Sequence, residues 1–368
     1  MTAAAPASYN AGLGAALVDD LGIAVIGLGM GMTRAQQVVD TPGARLAAVA
    51  DLRPERRAAA AARFGCPAYD SLDELLERAE GVECCYVMTE SGHHGEHGLA
   101  AARAGKHIIS TKPIEITVDK ALAFCRGCRE AAVELLVDFQ MRYEPAVAKM
   151  RAAVEQGALG RPLFGEVKLK WWRGEDYYQG WHGTWDLDGG GSIMNQAIHF
   201  LDILLYVLGD VKEVFAYSGT AAHVNCQTED LTSAVLQFAN GAQGVIQTTT
   251  CYPGTQHDLV EIHGTHGAVA VDLNHLRRWE FIPPNRTPGS WNPATGSVEG
   301  GGGGGPYDPP LDVPTPLSGA VADAVNVIRH GGAPACSGPQ AIKAVALAQA
   351  LYESARSGQP ARPAAIPE

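Results

Sequence analysis

Ile23-Ala24-Val25-Ile26-Gly27-Leu28-Gly29-Met30-Gly31-Met32-Thr33 is the stretch that decides the fold. A short β-branched run closes in glycines, and a helical pattern opens behind it over Thr33 to Val39. Glycines at the first two places of such a string let the backbone turn tightly and approach a pyrophosphate. The helix N-terminus then faces the phosphates with free N–H groups. The usual pattern has Gly or Ala at the sixth place; Met32 stands there, and Gly31 lies one residue early. A second predicted strand, Leu46 to Ala50, ends in Asp51, about 20 residues on, where an acid grips the adenosine ribose hydroxyls. Gly27, Leu28, Gly29, Met30, Gly31, Met32, Asp51, Leu52 and Arg53 are therefore the candidate dinucleotide contacts. Asp51 favours NAD because a carboxylate repels a 2′-phosphate; Arg53, close by, leaves NADP as the alternative.

The same alternation continues outward from this stretch. A helix is predicted from Pro54 to Phe64, a strand from Val82 to Met88, a helix from His94 to Ala104 and a strand from His107 to Ile109. A helix over Asp119 to Ala132 and a strand over Glu134 to Asp138 complete the series. Strands spaced by helices build βαβ units and a parallel sheet. After Tyr143 the pattern changes. A helix from Pro145 to Gln156 leads into alternating segments at Leu163–Trp172, Glu213–Thr220, Leu231–Phe238, Gly244–Thr250 and Leu259–His263, with one helix near Ile193 to Leu208. Turn residues such as Asn240-Gly241 separate several of them. The expected fold is an α/β Rossmann-type doubly wound domain plus an α+β domain with a large, mainly antiparallel open-faced sheet. The expected boundaries are a flexible leader at 1–20, the dinucleotide-binding domain at 21–142, a substrate-binding and oligomerisation domain at 143–310, and C-terminal helices at 311–368. Phe281 to Thr315, rich in Pro, Gly and Asn, is expected to be a long loop, and the stretch after Gly358 to be frayed.

Composition bounds the rest. The 368 residues are 46% hydrophobic and 18% charged, enough apolar material for a large core. A net charge of −12 argues against nucleic acid or an anionic membrane as partner. No apolar run reaches the length of a membrane span, and Met1 to Asp20 lacks the basic residues of a secretory signal. The eight cysteines sit among apolar neighbours, which suits reduced thiols and a cytoplasmic location. Cys125 and Cys128 form a C-x-x-C inside a helical pattern with no second pair nearby, so helix packing is the expected role.

Two motifs carry chemistry. Thr111-Lys112-Pro113 follows the strand at 107–109, where the carboxyl end of a parallel strand faces the ligand crevice. Gly189-Gly190-Gly191-Ser192-Ile193-Met194-Asn195-Gln196-Ala197-Ile198-His199-Phe200-Leu201-Asp202 runs three glycines into an amphipathic helix. Asn195 and His199, four apart, share a helix face, and Asp202 either orients His199 or serves packing. Thr89 and His94 follow the strand at 82–88, again at the crevice, and with Thr111, Lys112 and Gln140 they are further candidate cofactor contacts. Arg142 reaches ligand or forms a hinge salt bridge. The histidines at 93, 94 and 97 invite a metal reading, but no acidic cluster completes it, so no metal is expected. Four of the six tryptophans lie between Trp171 and Trp185. Aromatics beside polar groups suit the face of a sugar, and Trp172, Arg173, Tyr178 and Trp185 are the substrate candidates; a packed loop or subunit contact is the alternative.

Together, Lys112-Pro113, Gly105-Lys106-His107, Gly189 to Gly191, His199 and Asp202 resemble the Gfo/Idh/MocA oxidoreductases from about Leu21 to Thr265. That family's pattern is E-K-P, then G-G-G and D-x-G-x-H-x-x-D. Thr111, Asn195 and Ala197 depart from its Glu, Asp and Gly. The resemblance implies hydride transfer between NAD(P) and a hydroxyl-bearing carbon of a sugar, glycoside or cyclic polyol. The Asn-Gln pair resembles a subgroup acting at the sugar 3-hydroxyl. On this reading Lys112, Asn195 and His199 contact the substrate. His199, titrating near neutrality, takes the hydroxyl proton and Lys112 stabilises the alkoxide, or the two roles are exchanged. Asn195 would hold the substrate or the histidine. A homodimer or homotetramer through the second-domain sheet is implied. The competing readings are a carbonyl or imine reductase of the same family and a non-catalytic dinucleotide-binding regulator.

Overall fold

The computed structural model describes residues 20–273, 275–283, 290–292, 294, 297–299 and 307–367. The leader expected at 1–20 lies outside these, apart from Asp20. The first half runs β1 (Leu21–Ile26), α1 (Gly31–Asp40), β2 (Ala44–Ala50), α2 (Pro54–Phe64), β3 (Ala68–Tyr69), α3 (Leu72–Arg78), β4 (Cys84–Val87), α4 (His94–Arg103), β5 (His107–Thr111), α5 (Val118–Glu130) and β6 (Leu135–Asp138). These strands form one sheet in the order β3-β2-β1-β4-β5-β6, every pair parallel. All six residues of β1 are buried, as expected of a central strand covered on both faces. Strand order reverses between β1 and β4, so a crevice opens above their carboxyl ends. The sequence reading passed over β3 and α3. β3 is only two residues long, but α3 carried a legible start, since Ser71 accepts from the Glu74 N–H at 3.2 Å.

The second half continues with α6 (Pro145–Glu155), β7 (Pro162–Lys170), a π-turn at Ser192–Ala197 feeding α7 (Ile198–Leu208), β8 (Val211–Gly219), β9 (Leu231–Phe238), β10 (Gln243–Thr249), β11 (His257–Gly264), β12 (Gly267–Val271) and β13 (Leu276–Phe281). Its sheet has the order β13-β12-β11-β7-β10-β9-β8, with β7 and β10 parallel and the other pairs antiparallel. β9 shows why one face stays open: Thr232, Ala234, Leu236 and Phe238 are buried, and the residues between them are exposed. α7 covers the inner face with Phe200, Leu201, Ile203 and Leu204 fully buried, each worth about 1.5–3 kcal/mol.

The loop expected over 281–315 contains a small hairpin, β14 (Ser290–Asn292) with β15 (Ser297–Glu299); residues 284–289 and 300–306 lie outside the described set. Two helices follow, α8 (Ala320–His330) and α9 (Gly338–Ser357). α8 packs on the first sheet, whereas α9 touches α5 and β6 on one side and α7 and β8 on the other. The tail beyond Gly358 is fixed, not frayed, because Ala361 and Val214 exchange two main-chain hydrogen bonds at 2.9 Å. Among the described residues no helix is long and apolar enough to cross a membrane.

Candidate active site

At the nucleotide end, Gly27 has φ +89°, and a Cβ there would stand 2.7 Å from the Met88 carbonyl oxygen. Gly29 is different: a Cβ would meet only the Arg56 guanidinium, at 3.6 Å, so its face is open to a ligand. Gly31 opens α1 against Val25, where a Cβ would be 3.1 Å from that side chain. The close helix–strand approach is thus made at Gly31, one residue early, and Met32 packs partly into the apolar cluster beside it. No side chain caps α1, and its first turn carries no acid. The Asp51 carboxylate accepts from Leu28 N–H at 2.6 Å and Arg53 N–H at 2.8 Å. Arg56, which the sequence reading overlooked, lies 3.4 Å from Asp51. Met30 and Leu52, at 72% and 83% exposure, flank the acid as apolar shelves. These residues fit a dinucleotide: an open glycine, an uncapped helix end and a buried acid lie on one edge.

Further along the crevice, Thr89 is half-buried and bonded through its hydroxyl to His97 at 2.9 Å. His94, expected to contact cofactor, is buried with its ring between the Pro113 carbonyl at 2.7 Å and the Thr89 carbonyl at 3.0 Å. Burial pushes its pKa down to about 4. Neutral, the ring donates its one N–H to one of these carbonyls and packs against the other, so both crevice loops enclose it. Thr111 is buried at the end of β5, and Gln140 leans 3.4 Å from Asp138. Asp138 anchors a cluster invisible in the sequence, accepting from Arg34 at 3.0 Å and from the Tyr86 hydroxyl.

At the chemical end, Lys112 projects from the loop after β5, preceding a cis proline, and donates to the Asn195 carbonyl at 2.5 Å. That carbonyl lies in the π-turn Ser192–Ala197, a widened helical turn of the kind often found at functional sites. The glycine run places this turn. A Cβ on Gly189 would lie 2.4 Å from Ile116, on Gly190 2.1 Å from the Tyr352 hydroxyl, and on Gly191 1.9 Å from the Glu229 carbonyl oxygen. The Glu229 carboxylate holds the turn's start, accepting from Gly191 N–H at 2.9 Å and Ile193 N–H at 2.7 Å. The Asn195 amide donates to Asp188 at 2.6 Å, and its oxygen accepts from the Tyr177 hydroxyl at 3.4 Å. Tyr177 is stacked on His182 at 4.0 Å, and His182 on Trp181 at 4.0 Å.

His199 stands edge-on to Phe139 at 5.9 Å, with its Nδ1 enclosed and without a hydrogen-bond partner among the described residues. Burial, with the charges of Lys112 and Arg34, pushes its pKa far below the ordinary value, so it is a neutral acceptor at pH 7. The titration near neutrality expected from sequence is thereby corrected. Burial also lowers Lys112, to about 8, against the upward pull of Asp188 and Asp138.

Of the two roles open to Arg142 it takes the hinge salt bridge, and the expectation that Tyr178 meets substrate is overturned. Arg142 is locked in a buried ion pair, giving bonds of 2.8 and 2.7 Å to Asp202 and 2.7 Å to the Ala335 carbonyl, so neither it nor Asp202 is available to ligand or to His199. Tyr178 points away from the site, its hydroxyl 2.7 Å from Thr250 and its ring against His223. Its neighbour Tyr177 is the one beside Asn195. Arg173 lies near, 5.4 Å from the Tyr177 ring. Trp185 is exposed and packs edge-on to Tyr352, and Trp172 is exposed beside His223. Among the described residues no group of His, Cys, Asp and Glu is arranged to hold a metal.

Comparison with known proteins agrees with the two-part fold. Residues 21–139 match the oxidoreductase family with an NAD-binding Rossmann fold, and residues 147–270 match the GFO/IDH/MocA C-terminal domain. A D-apiose dehydrogenase of Paraburkholderia graminis is 28% identical, covering 87% of this chain and 83% of its own. A 1,5-anhydro-D-fructose reductase of Ensifer adhaerens is 29% identical, covering 87% and 91%. The crystal structure of the WlbA dehydrogenase from Bordetella pertussis, in complex with NADH and UDP-GlcNAcA, superposes with a TM-score of 0.79 at 27% identity, covering 95% of this chain and 99% of that one.

Proposed function

The chain belongs to the GFO/IDH/MocA family of NAD-binding oxidoreductases, and from that premise we propose that it oxidises a secondary hydroxyl of a pyranose sugar, glycoside or cyclic polyol, at the 3-position in a sugar. One observation carries the reading: Lys112, at the carboxyl end of β5, donates to the Asn195 carbonyl, and its charge reaches His199, whose enclosed Nδ1 has no partner among the described residues. Gly27, Gly29, the start of α1 and Asp51 would hold NAD, whose nicotinamide accepts the hydride.

The remaining chemistry falls to the chain's own side chains. A general base works best with a pKa near the operating pH. Lys112, lowered to about 8, meets that condition, whereas His199 lies too low to take a proton readily. The roles first assigned to these residues are therefore exchanged: neutral Lys112 takes the hydroxyl proton as the carbon gives up hydride. His199, uncharged, accepts a hydrogen bond and orients the substrate. In the reducing direction the Lys112 ammonium returns the proton. The stack Tyr177–His182–Trp181 supports a sugar, an apolar face with polar edges. Similarity to enzymes named for apiose, anhydrofructose and a nucleotide sugar acid points to the same class. The open face of the second sheet, with Tyr217 and Val235 exposed, supports assembly into a dimer or tetramer, and eight free cysteines suit the cytoplasm.

The test is reduction of added NAD, or of any copurified NAD, with a panel of sugars, glycosides, inositols and nucleotide sugars. Lys112→Ala should lower kcat by roughly 10³-fold with the fold intact. A panel without turnover, or a Lys112→Ala protein as active as the parent, defeats the reading and favours a non-catalytic regulator.

A further inference from the structure

Asp188 precedes the glycine run and is buried. Its two oxygens are divided. Oδ2 accepts from Gly183 N–H at 2.7 Å, and Oδ1 accepts from the Asn195 amide at 2.6 Å. Gly189, at φ +73° against Ile116, fixes the backbone that follows it. Because Asn195 must donate to a carboxylate, its amide has one orientation, and its Oδ1 is left as the acceptor facing Tyr177. The carbonyl of the same residue receives Lys112. Burial pushes the Asp188 carboxyl upward and nearby Glu229 adds to this, while the bonds from Gly183 and Asn195 and the charge of Lys112 hold it down.

We infer that Asp188 is the positioning carboxylate of this site: acting through Asn195, it sets the direction of the amide and supplies the counter-charge that keeps Lys112 usable as an acid and base. The inference rests on the reading of Lys112 given above. An acid at 195 in place of the amide would set two carboxylates within hydrogen-bond distance, and such a pair holds one proton between them. Asp188 and Asn195 are therefore a matched acid–amide pair, and the order should be exchangeable. The other charged neighbours of Lys112 are Asp138 and Arg173; His94, His182 and His199, also close, are driven neutral by burial. Around Asp188 stand Glu229 and the hydroxyls of Tyr177 and Tyr352.

The experiment compares Asp188→Asn, Asn195→Asp and the double swap with the parent. One readout needs no substrate. Lysines are dimethylated with ¹³C-formaldehyde, and the Lys112 resonance, assigned by its loss in Lys112→Arg, is titrated by NMR. Removing the carboxylate in Asp188→Asn should lower the Lys112 midpoint by roughly half a unit or more. In turnover, each single variant should lose roughly tenfold or more in kcat with KM little changed, and the double swap should recover most of that loss. Should Asp188→Asn fail to fold, Asn195→Asp still decides, because its loss should be greatest at high pH, where the shared proton is gone and two carboxylates face each other. An unmoved Lys112 midpoint, an Asn195→Asp protein as active as the parent at every pH, or a double swap worse than both singles overturns the inference. If the parent turns over nothing, the dehydrogenase reading falls by itself and the NMR titration still judges Asp188.

Discussion

The chain contains two glycine strings that look alike in sequence and serve opposite ends. Around Gly29, an added Cβ finds only an arginine tip at 3.6 Å, so the space beside the backbone belongs to a ligand. Around Gly189, Gly190 and Gly191 the space is already taken, by Ile116, Tyr352 and Glu229. The first string leaves a groove; the second lets a loop, a C-terminal helix and a strand entrance close on one turn. A glycine run leading into a helix is therefore not in itself the sign of a ligand. It marks where the protein presses on itself to aim Lys112 and Asn195.

That contrast can be broken from the second string first. Gly191→Ala drives a Cβ to 1.9 Å from a main-chain oxygen, and main chain yields little. The expected cost is about 3 kcal/mol, read from the urea midpoint. A parent-like midpoint would show that the run is not wedged. Gly29→Ala should behave in the opposite way. Stability should stay within about 0.5 kcal/mol. The Kd for NAD should rise roughly tenfold, by calorimetry, because the new methyl occupies the pyrophosphate's approach. Loss of stability without loss of NAD binding would erase the distinction. The smallest effect concerns proton chemistry. With Lys112 at about 8, kcat/KM for oxidation should rise about fivefold from pH 7 to pH 8 and then level, while reduction falls over the same range. The midpoint should be unchanged in Gly29→Ala. A flat profile would remove Lys112 from the proton path.

The sequence made the nucleotide end legible almost residue by residue, because strand, glycines, helix and acid follow one another along the chain. At the chemical end it gave Lys112 and His199, each announced by its neighbours in the chain. What it concealed is long-range. Arg34 meets Asp138, Glu229 meets Gly191 and Arg142 meets Asp202 across sheets and helices, and nothing in local periodicity marks such pairs. The choice between Tyr177 and Tyr178 turned on a short 3₁₀ turn, where adjacent side chains diverge. Asp188 was hidden by its position, since an acid before glycines reads as loop chemistry until the fold sets it against an amide.

The Arg142 ion pair has a kinetic consequence. Its guanidinium joins Asp202 on α7 to Ala335 and Gln340 at the start of α9, just where the first half of the chain passes into the second. Prising the halves apart would break these buried hydrogen bonds to a charged group, each worth about 1.5–3 kcal/mol. If release of a dinucleotide requires the halves to part, this latch would lengthen its residence time more than it raises its affinity. Arg142→Leu should accordingly hasten NAD dissociation in stopped-flow chase more than it weakens equilibrium binding, and an unchanged off-rate would show that the latch does not guard the exit.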